Sequence, residues 1–195
     1  MLSVDLFFDN NFTIKNNVFI LDNDDQYAEN FGKQWKKYLF TQIDSKNNFK
    51  ISQNYINDLL FNDFKYIENK KIFEIGSGAG RFTEILTKYS KNICTIDLSK
   101  AIFYNVERNN PNVCRIKGNY FNLISKNKFD VIICRGVLQH TPNPNKYLLK
   151  LFEFCKKDGL VIFDIYSLPK IGKLHPKYFF WRPLFKKFVK YTRNW

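Results

Sequence analysis

The stretch Lys71-Ile-Phe-Glu-Ile-Gly-Ser-Gly-Ala-Gly80-Arg-Phe decides the fold, because an apolar run leads into three glycines and then into a helical pattern. Glycines at 76, 78 and 80 permit a tight turn that brings backbone N–H groups close to a ligand. A dinucleotide-binding loop requires a third small residue where this chain has Arg81, and a phosphate-binding P-loop requires Gly-Lys-Ser/Thr. The spacing therefore excludes both of these sites.

Short apolar runs alternate with amphipathic stretches from residue 70 onward, which is typical of a parallel sheet covered by helices on both faces. The runs predict strands that are buried on both faces, at residues 71–75, 92–96, 113–117, 129–134 and 160–165. Helical spacing predicts helices at 27–39, 52–61, 82–88, 101–108 and 147–155. Residues 1–20 are expected to form a short strand or arm. The fold class is therefore α/β with a mostly parallel sheet.

An acidic residue, Asp97, closes the second predicted strand. In Rossmann-like folds an acid about 20 residues after the glycine loop accepts hydrogen bonds from both ribose hydroxyls of the ligand. Asp97 has this position. The alternative is that Asp97 caps the following helix, but Ser99 is well suited to that role.

Glu74, two residues before the first glycine, together with glycines at every second position, resembles motif I of the class I S-adenosylmethionine-dependent methyltransferases. The resemblance implies a Rossmann-like, three-layer αβα fold that binds S-adenosylmethionine and holds no metal. It places the acid of Glu74 near the ammonium group of the ligand. The cofactor-binding residues that it implies are Glu74, Gly76, Ser77, Gly78, Gly80, Asp97, Leu98, Asn119, Tyr120 and Arg135.

Two later segments extend the resemblance. Where the family usually has an acid that accepts from the adenine amino group, this chain has Asn119, whose side-chain oxygen can still accept; a turn asparagine is the alternative. The run 129–142 is similar to motif IV and the loop after it, which borders the sulfonium and the acceptor. Arg135 and Gln139 are acceptor-side candidates. His140 is the candidate general base for a hydroxyl acceptor, with a packing role as the alternative.

The segment Tyr27-Ala-Glu-Asn-Phe-Gly-Lys-Gln-Trp35, followed by Thr41-Gln-Ile-Asp-Ser45, resembles the lead-in of bacterial methyltransferases that are often encoded beside surface-polysaccharide and other small-molecule pathways. Phe31 and Trp35 lie one helical turn apart and are expected either in the core or over the cofactor. Relatives often carry a cysteine-rich zinc module before this segment. This chain has no cysteine before Cys94, so no zinc is expected.

The resemblance implies a sheet of seven strands whose last two form a hairpin after the fifth, yet no strand hairpin is evident after residue 166. We therefore expect the last strands to be missing and divide the chain into an N-terminal arm and helical lead-in (1–69), a cofactor-binding core (70–166) and a basic aromatic tail (167–195). Residues 183–195 have the pattern of a basic amphipathic helix. Such a helix can contact an anionic membrane or pack on the domain.

Composition limits the function classes. Apolar residues make up 45% of the 195, which fits a globular domain, and the net charge of +13 accompanies a general richness in Lys and Asn that weakens its value as a nucleic-acid signal. No signal peptide is evident, so a cytoplasmic location is expected. The leading hypothesis is methyl transfer to a small molecule or a sugar- or lipid-linked intermediate. The alternatives are an RNA methyltransferase, disfavoured because motif IV lacks the Asn/Asp-Pro-Pro-Tyr/Phe pattern, and a truncated, non-catalytic relative.

Overall fold

A seven-stranded sheet organises the chain in the computed structural model, which describes residues 2–21 and 41–165. Its spatial order is β1-β2-β5-β4-β3-β6-β7, and every neighbouring pair is parallel except β1 with β2. The strands are β1 (Thr13–Lys15), β2 (Val18–Ile20), β3 (Lys71–Ile75), β4 (Asn92–Asp97), β5 (Val113–Lys117), β6 (Phe129–Cys134) and β7 (Cys155–Phe163). The predicted α/β fold with a mostly parallel sheet is confirmed.

The described residues also form four α-helices, namely α1 (Asp44–Asn47), α2 (Ile51–Leu59), α3 (Thr83–Leu86) and α4 (Pro144–Phe154). The helix predicted at 101–108 is instead a 3-10 helix, Lys100–Tyr104. It stops because Asn105 leaves the helical conformation and its side-chain oxygen accepts from the Glu107 N–H at 3.0 Å, in competition with a continued helix. Asn143 caps α4 by accepting from the Lys146 N–H, and Pro144 occupies its first turn.

One face of the sheet is packed with aromatic rings. Only the 3-10 helix Tyr120–Asn122 lies between β5 and β6, and the N-terminal arm occupies that face. The Phe7 ring stacks on Phe129 at 5.2 Å, and the Phe8 ring meets Phe73 at 5.4 Å and Phe154 at 5.9 Å. Both arm residues are about 1% exposed, so the arm is part of the core rather than an appendage.

The opposite face is aliphatic and is covered by α2 and α3. Ile56 and Leu60 from the region of α2, with Ile85 and Leu86 from α3, pack against the side chains that β3, β4, β5 and β6 present there. Ile72 of β3 is among them and is fully buried. The strands β3, β4, β5 and β6 are thus buried on both sides, as their unbroken apolar runs predicted. The same prediction was wrong for β7, where Phe163 is 37% exposed, because this strand pairs only with β6 among the described residues.

The two strands at the β5 edge of the sheet were not predicted as part of it. Asn16 and Asn17 adopt left-handed backbone conformations between β1 and β2 and turn the chain into an antiparallel hairpin. The β2 strand then pairs with β5 through Phe19 and Ile116. The N-terminal arm therefore contributes two strands to the sheet that the described residues form.

The β7 strand starts earlier than residue 160. Cys155 pairs with Phe129 and Leu160 pairs with Val131, so residues 156–159 bulge out of the ladder opposite Asp130. Three predictions fall on residues outside the described part of the chain: the helix at 27–39 with Phe31 and Trp35, the amphipathic helix at 183–195, and the absence of strands after the fifth core strand.

Candidate cofactor and acceptor site

The glycine loop after β3 has the left-handed geometry that its sequence predicts. Gly76, Gly78 and Gly80 have φ angles of 79°, 52° and 96°. A Cβ at Gly76 would lie 2.2 Å from the Cγ2 atom of Val137 in the loop after β6, and one at Gly80 would lie 2.5 Å from the Asn105 side-chain oxygen. These positions therefore need glycine both for conformation and for close approach.

Glu74 is buried at the end of β3, 2% exposed. Its Oε2 accepts from the Thr83 hydroxyl at 2.6 Å, and Thr83 in turn accepts from the Asn105 amide at 3.2 Å. Burial raises the pKa of Glu74 to about 7, while the Thr83 hydrogen bond opposes that rise. Oε1 has no partner among the described residues. Thr83 and Asn105 were not predicted as site residues, although a buried acid in an apolar strand requires such partners.

Asp97 joins the glycine loop to the turn after β4. Its Oδ2 accepts from the Gly78 N–H at 2.7 Å, and its Oδ1 accepts from the Ser99 N–H at 2.8 Å and the Ser99 hydroxyl at 2.6 Å. Ser99, as expected, caps the following 3-10 helix through the Ala101 N–H. Burial raises the pKa of Asp97 in spite of these bonds. Leu98 lies between the two residues and is half-buried.

Asn119 and Tyr120 follow β5 with different surroundings. Asn119 caps the 3-10 helix Tyr120–Asn122 by accepting from the Phe121 N–H at 3.0 Å, and its amide nitrogen donates to the Tyr147 hydroxyl at 2.8 Å. Tyr120 is 4% exposed and lies in the aromatic core, where its hydroxyl donates to the Tyr147 carbonyl at 3.0 Å. The structure thus brings Asn119 to the carboxyl edge of the sheet and places Tyr120 in the interior.

Arg135 begins the loop after β6, on the other side of the glycine loop. Its guanidinium lies 3.4 Å from an Asp164 oxygen and 4.9 Å from the centre of the Tyr55 ring. The other Asp164 oxygen accepts from the Gly136 N–H at 2.6 Å. Asp164 follows β7, so it stands at the same edge of the sheet; the sequence analysis did not include it, although strand ends at this edge were the signal.

Gln139 and His140 lie in the 3-10 helix Leu138–His140, which Leu138 anchors in the core. Both polar atoms of the Gln139 amide are buried without a hydrogen-bond partner among the described residues. A buried amide whose donor and acceptor both lack partners lowers the free energy of unfolding. Such a group needs an explanation, and a ligand that completes its hydrogen bonds is one. His140 is half-buried at the end of this helix.

The lead-in is tied to the glycine loop through Arg81. The Arg81 Nε donates to the Ser52 hydroxyl at 3.1 Å, and the guanidinium stacks over Phe82 at 4.9 Å. Asp44 accepts from the N–H groups of Ser52 and Gln53 and so holds the start of α2. The lead-in motif at 41–45 therefore supports the loop that carries the glycines, a role that its residues alone did not reveal.

The buried polar atoms that lack partners show whether the site can hold the ligand that the sequence predicts, S-adenosylmethionine. In the described part of the chain, Glu74 Oε1, Ser77 Oγ, Arg135 Nε and the Gln139 amide are buried without partners. All four residues lie in or beside the loops that follow β3 and β6, at one edge of the sheet. An acid and a hydroxyl beside a glycine turn suit an ammonium group and a carboxylate, which are the amino-acid end of S-adenosylmethionine.

Comparison with known families decides the class of the protein. The family model described as a methyltransferase domain matches residues 46–189, which is most of the chain. The protein belongs to this family. The motif I and motif IV resemblances thus fall within one methyltransferase domain, whereas the lead-in at 27–35 precedes the matched range.

Two curated relatives and one solved structure show how far the similarity extends. The ubiquinone biosynthesis O-methyltransferase of Rickettsia bellii is 28% identical over 62% of this chain and 52% of its own length. The enzyme of the same name from Glaesserella parasuis is 28% identical over 71% of this chain and 62% of its own length. Haemonchus contortus phosphoethanolamine N-methyltransferase 1, in complex with phosphoethanolamine and S-adenosylhomocysteine, shares the fold, with a TM-score of 0.57 at 20% identity over 77% of this chain and 34% of its own. The chain spans only part of each relative.

The described residues contain no helix that is long and apolar enough to cross a membrane. Within the same residues, no three His, Cys, Asp or Glu side chains come together as ligands of a metal ion would. The four cysteines are free thiols; Cys94, Cys114 and Cys134 are fully buried in the strands.

Proposed function

We propose that this methyltransferase-domain protein binds S-adenosylmethionine across the loops after β3, β4 and β5 and transfers its methyl group to a small molecule held beside the loop after β6. The observation that carries the proposal is the bond from the Gly78 N–H to Asp97, which fixes a glycine turn against an acid at the end of the next strand. The family membership and the S-adenosylhomocysteine bound to the Haemonchus contortus enzyme support the choice of ligand.

Asp97 is proposed to hold the ribose. A carboxylate offers about four lone-pair sites, and Asp97 already accepts from the Gly78 N–H, the Ser99 N–H and the Ser99 hydroxyl. Both ribose hydroxyls can therefore bind only if the Ser99 hydroxyl turns away, since the two backbone bonds are fixed by the loops. Glu74 and Ser77 would hold the amino-acid end through the oxygens that have no partner in the described structure. Gly76, Gly78 and Gly80 would admit that end.

The sulfonium supplies an already activated methyl group, so the contribution of the chain is positioning and exclusion of water. The glycine loop and the loop after β6 meet at Gly76 and Val137, which sets how closely the two ligands approach each other. Arg135, fixed between Asp164 and the Tyr55 ring, borders the acceptor.

A hydroxyl group is the proposed acceptor atom, because the two curated relatives are named as O-methyltransferases. His140 is proposed as the base that removes its proton, and the Gln139 amide as a group that the acceptor completes. We expect His140→Gln to lower kcat and to leave the affinity for S-adenosylhomocysteine unchanged, and an unchanged kcat would return His140 to a packing role. A sugar- or lipid-linked acceptor, contact of the tail with membrane and a cytoplasmic location remain proposals.

Calorimetric titration with S-adenosylhomocysteine tests the proposal. We expect the wild-type chain to bind and Asp97→Ala to bind about 10- to 100-fold more weakly, the scale of lost charge-assisted hydrogen bonds. The variant also loses its bonds to Gly78 and Ser99, so its melting temperature should fall.

The matched control is Asp130→Asn. Asp130 is half-buried beside the start of β3, at the end of the strand away from the glycine loop, where it accepts from the Lys71 N–H and from the Lys156 ammonium group. This variant should lose stability and keep its affinity for S-adenosylhomocysteine. Equal losses of affinity in both variants, or no binding by the wild type, would refute the proposed site.

A further inference from the structure

Tyr147 lies in α4, outside every motif that the sequence analysis used, yet it is fixed against the loop after β5. Its ring stacks on Phe121 with centres 4.7 Å apart and planes 25° apart, and meets the edge of the Tyr120 ring at 5.4 Å. The Tyr120 hydroxyl donates to its backbone carbonyl. The position of the Tyr147 hydroxyl is therefore set by packing on two sides and by a backbone bond.

The bond between Asn119 and Tyr147 determines which atoms each residue presents. Asn119 Oδ1 accepts from the Phe121 N–H, so the amide cannot be reversed without placing two donors against each other. The amide nitrogen then faces Tyr147 and donates to its hydroxyl oxygen. Because that oxygen is the acceptor of this bond, the hydroxyl proton of Tyr147 must point away from Asn119.

We propose that Tyr147 and Asn119 together recognise the adenine edge of the cofactor, with Asn119 Oδ1 accepting from the amino group and the Tyr147 hydroxyl donating to a ring nitrogen beside it. This inference rests on the proposed binding of S-adenosylmethionine. An adenine edge carries one donor, the exocyclic amine, flanked by acceptor nitrogens. The pair carries one acceptor oxygen and one donor hydroxyl, joined by their own hydrogen bond, and so matches that edge.

The bond between Asn119 and Tyr147 explains how an asparagine can bind the adenine amino group at a position where the family usually has an acid. A carboxylate presents only acceptors, whereas an amide presents an acceptor and a donor, and a misplaced donor would repel the adenine amine. Here one amide N–H donates to Tyr147 and the oxygen accepts from the Phe121 N–H, so the orientation of the amide is fixed with its donor end toward Tyr147. Tyr147 is thus a positioning residue for Asn119 and a direct ligand of the base at the same time.

The test compares Tyr147→Phe with the wild type by calorimetric titration of three ligands: S-adenosylhomocysteine and its 1-deaza and 7-deaza analogues. Tyr147→Phe keeps the ring and its stacking, so it should fold. We expect this variant to bind S-adenosylhomocysteine about five- to tenfold more weakly, the size of one neutral hydrogen bond. For one of the two deaza analogues the wild type and the variant should bind equally, because that analogue lacks the nitrogen that the hydroxyl serves.

Tyr120→Phe is the control, since it removes a hydroxyl bonded to the Tyr147 carbonyl and leaves the proposed donor in place. It should lower the melting temperature and retain the preference among the three ligands. An equal loss for all three ligands in Tyr147→Phe, or no loss for any, overturns the inference while the binding of S-adenosylhomocysteine by the wild type still supports the proposed function. No binding by the wild type refutes both.

Discussion

The two sides of the site differ in how far the protein satisfies its own polar groups. On the cofactor side, Asp97 accepts three hydrogen bonds and links the loops after β3 and β4, while one oxygen of Glu74 and the Ser77 hydroxyl lack partners in the described structure. On the acceptor side, Asp164 bonds to the Gly136 N–H and contacts Arg135, while the whole Gln139 amide lacks partners in the described structure. The protein's own bonds thus fix the acid that joins the two cofactor loops, whereas neither the donor nor the acceptor of the Gln139 amide is satisfied by the described residues.

The largest expected effect comes from removing the glycine at which the two sides meet. Gly76→Ala places a Cβ 2.2 Å from Val137 at a φ of 79°, so the Val137 side chain must rotate or the two loops must move apart. We expect S-adenosylhomocysteine affinity to fall by at least about 100-fold, on the scale of 3 kcal/mol for a displaced binding loop. Calorimetry measures this loss.

Gly136→Ala provides the matched control for that variant. Gly136 also has a left-handed conformation, with a φ of 68°, but no atom lies within 4 Å of its added Cβ. Only the conformational cost of about 1 kcal/mol applies, so melting temperature should fall modestly and affinity should persist. Similar affinities for the two variants would show that the contact between the loops is not required.

The next effect concerns the pKa of Glu74, the buried acid of the cofactor side, and the pH dependence of stability that it causes. The pKa of Glu74 rises from 4.5 to about 7 because burial disfavours the ionised form. The folded state therefore holds this proton more tightly than the unfolded state, and its stabilising effect is complete below about pH 4.5 and lost as the pH rises to 7.

Glu74→Gln should remove this dependence. Over that pH range the free energy of unfolding of the wild type should decrease by up to about 3 kcal/mol relative to that of the variant, from the size of the pKa shift. Denaturant unfolding at half-unit pH intervals measures the difference, and other titrating groups cancel between the two proteins. Parallel curves would mean that Glu74 ionises normally in the folded protein.

The smallest effect concerns the acceptor side. Gln139→Leu replaces a buried amide that has no partner among residues 2–21 and 41–165 by an apolar side chain, so the free energy of unfolding should rise by about 1 kcal/mol. Binding of S-adenosylhomocysteine should not change. Thermal melting with and without this ligand measures both quantities, and a lower melting temperature would show that the amide is satisfied within the protein.

Residue type and spacing along the chain were enough to predict the five core strands, the glycine turn, the acid that ends β4 and the capping role of Ser99. Each of these follows from local rules, because an apolar run buried on both faces, a left-handed turn and a helix cap leave their marks within a few neighbouring residues. The start of β7 was misplaced, since a bulge at 156–159 depends on the partner strand. The helix expected at 101–108 failed because Asn105 bonds to its own backbone instead.

The amino-acid sequence by itself determined the class of fold and the cofactor-side loops, since both rest on periodicity and on glycines whose conformations are local properties. Only the tertiary structure decided that the arm at residues 2–21 fills the aromatic face and supplies β1 and β2, that Thr83 and Asn105 support Glu74, and that Tyr147 faces Asn119. These contacts join residues from different elements of the chain. Thr83 lies nine residues after Glu74, and Phe8 and Phe154 lie near opposite ends of the described residues. Which side chains meet there depends on the packing of whole elements, and no local spacing records it.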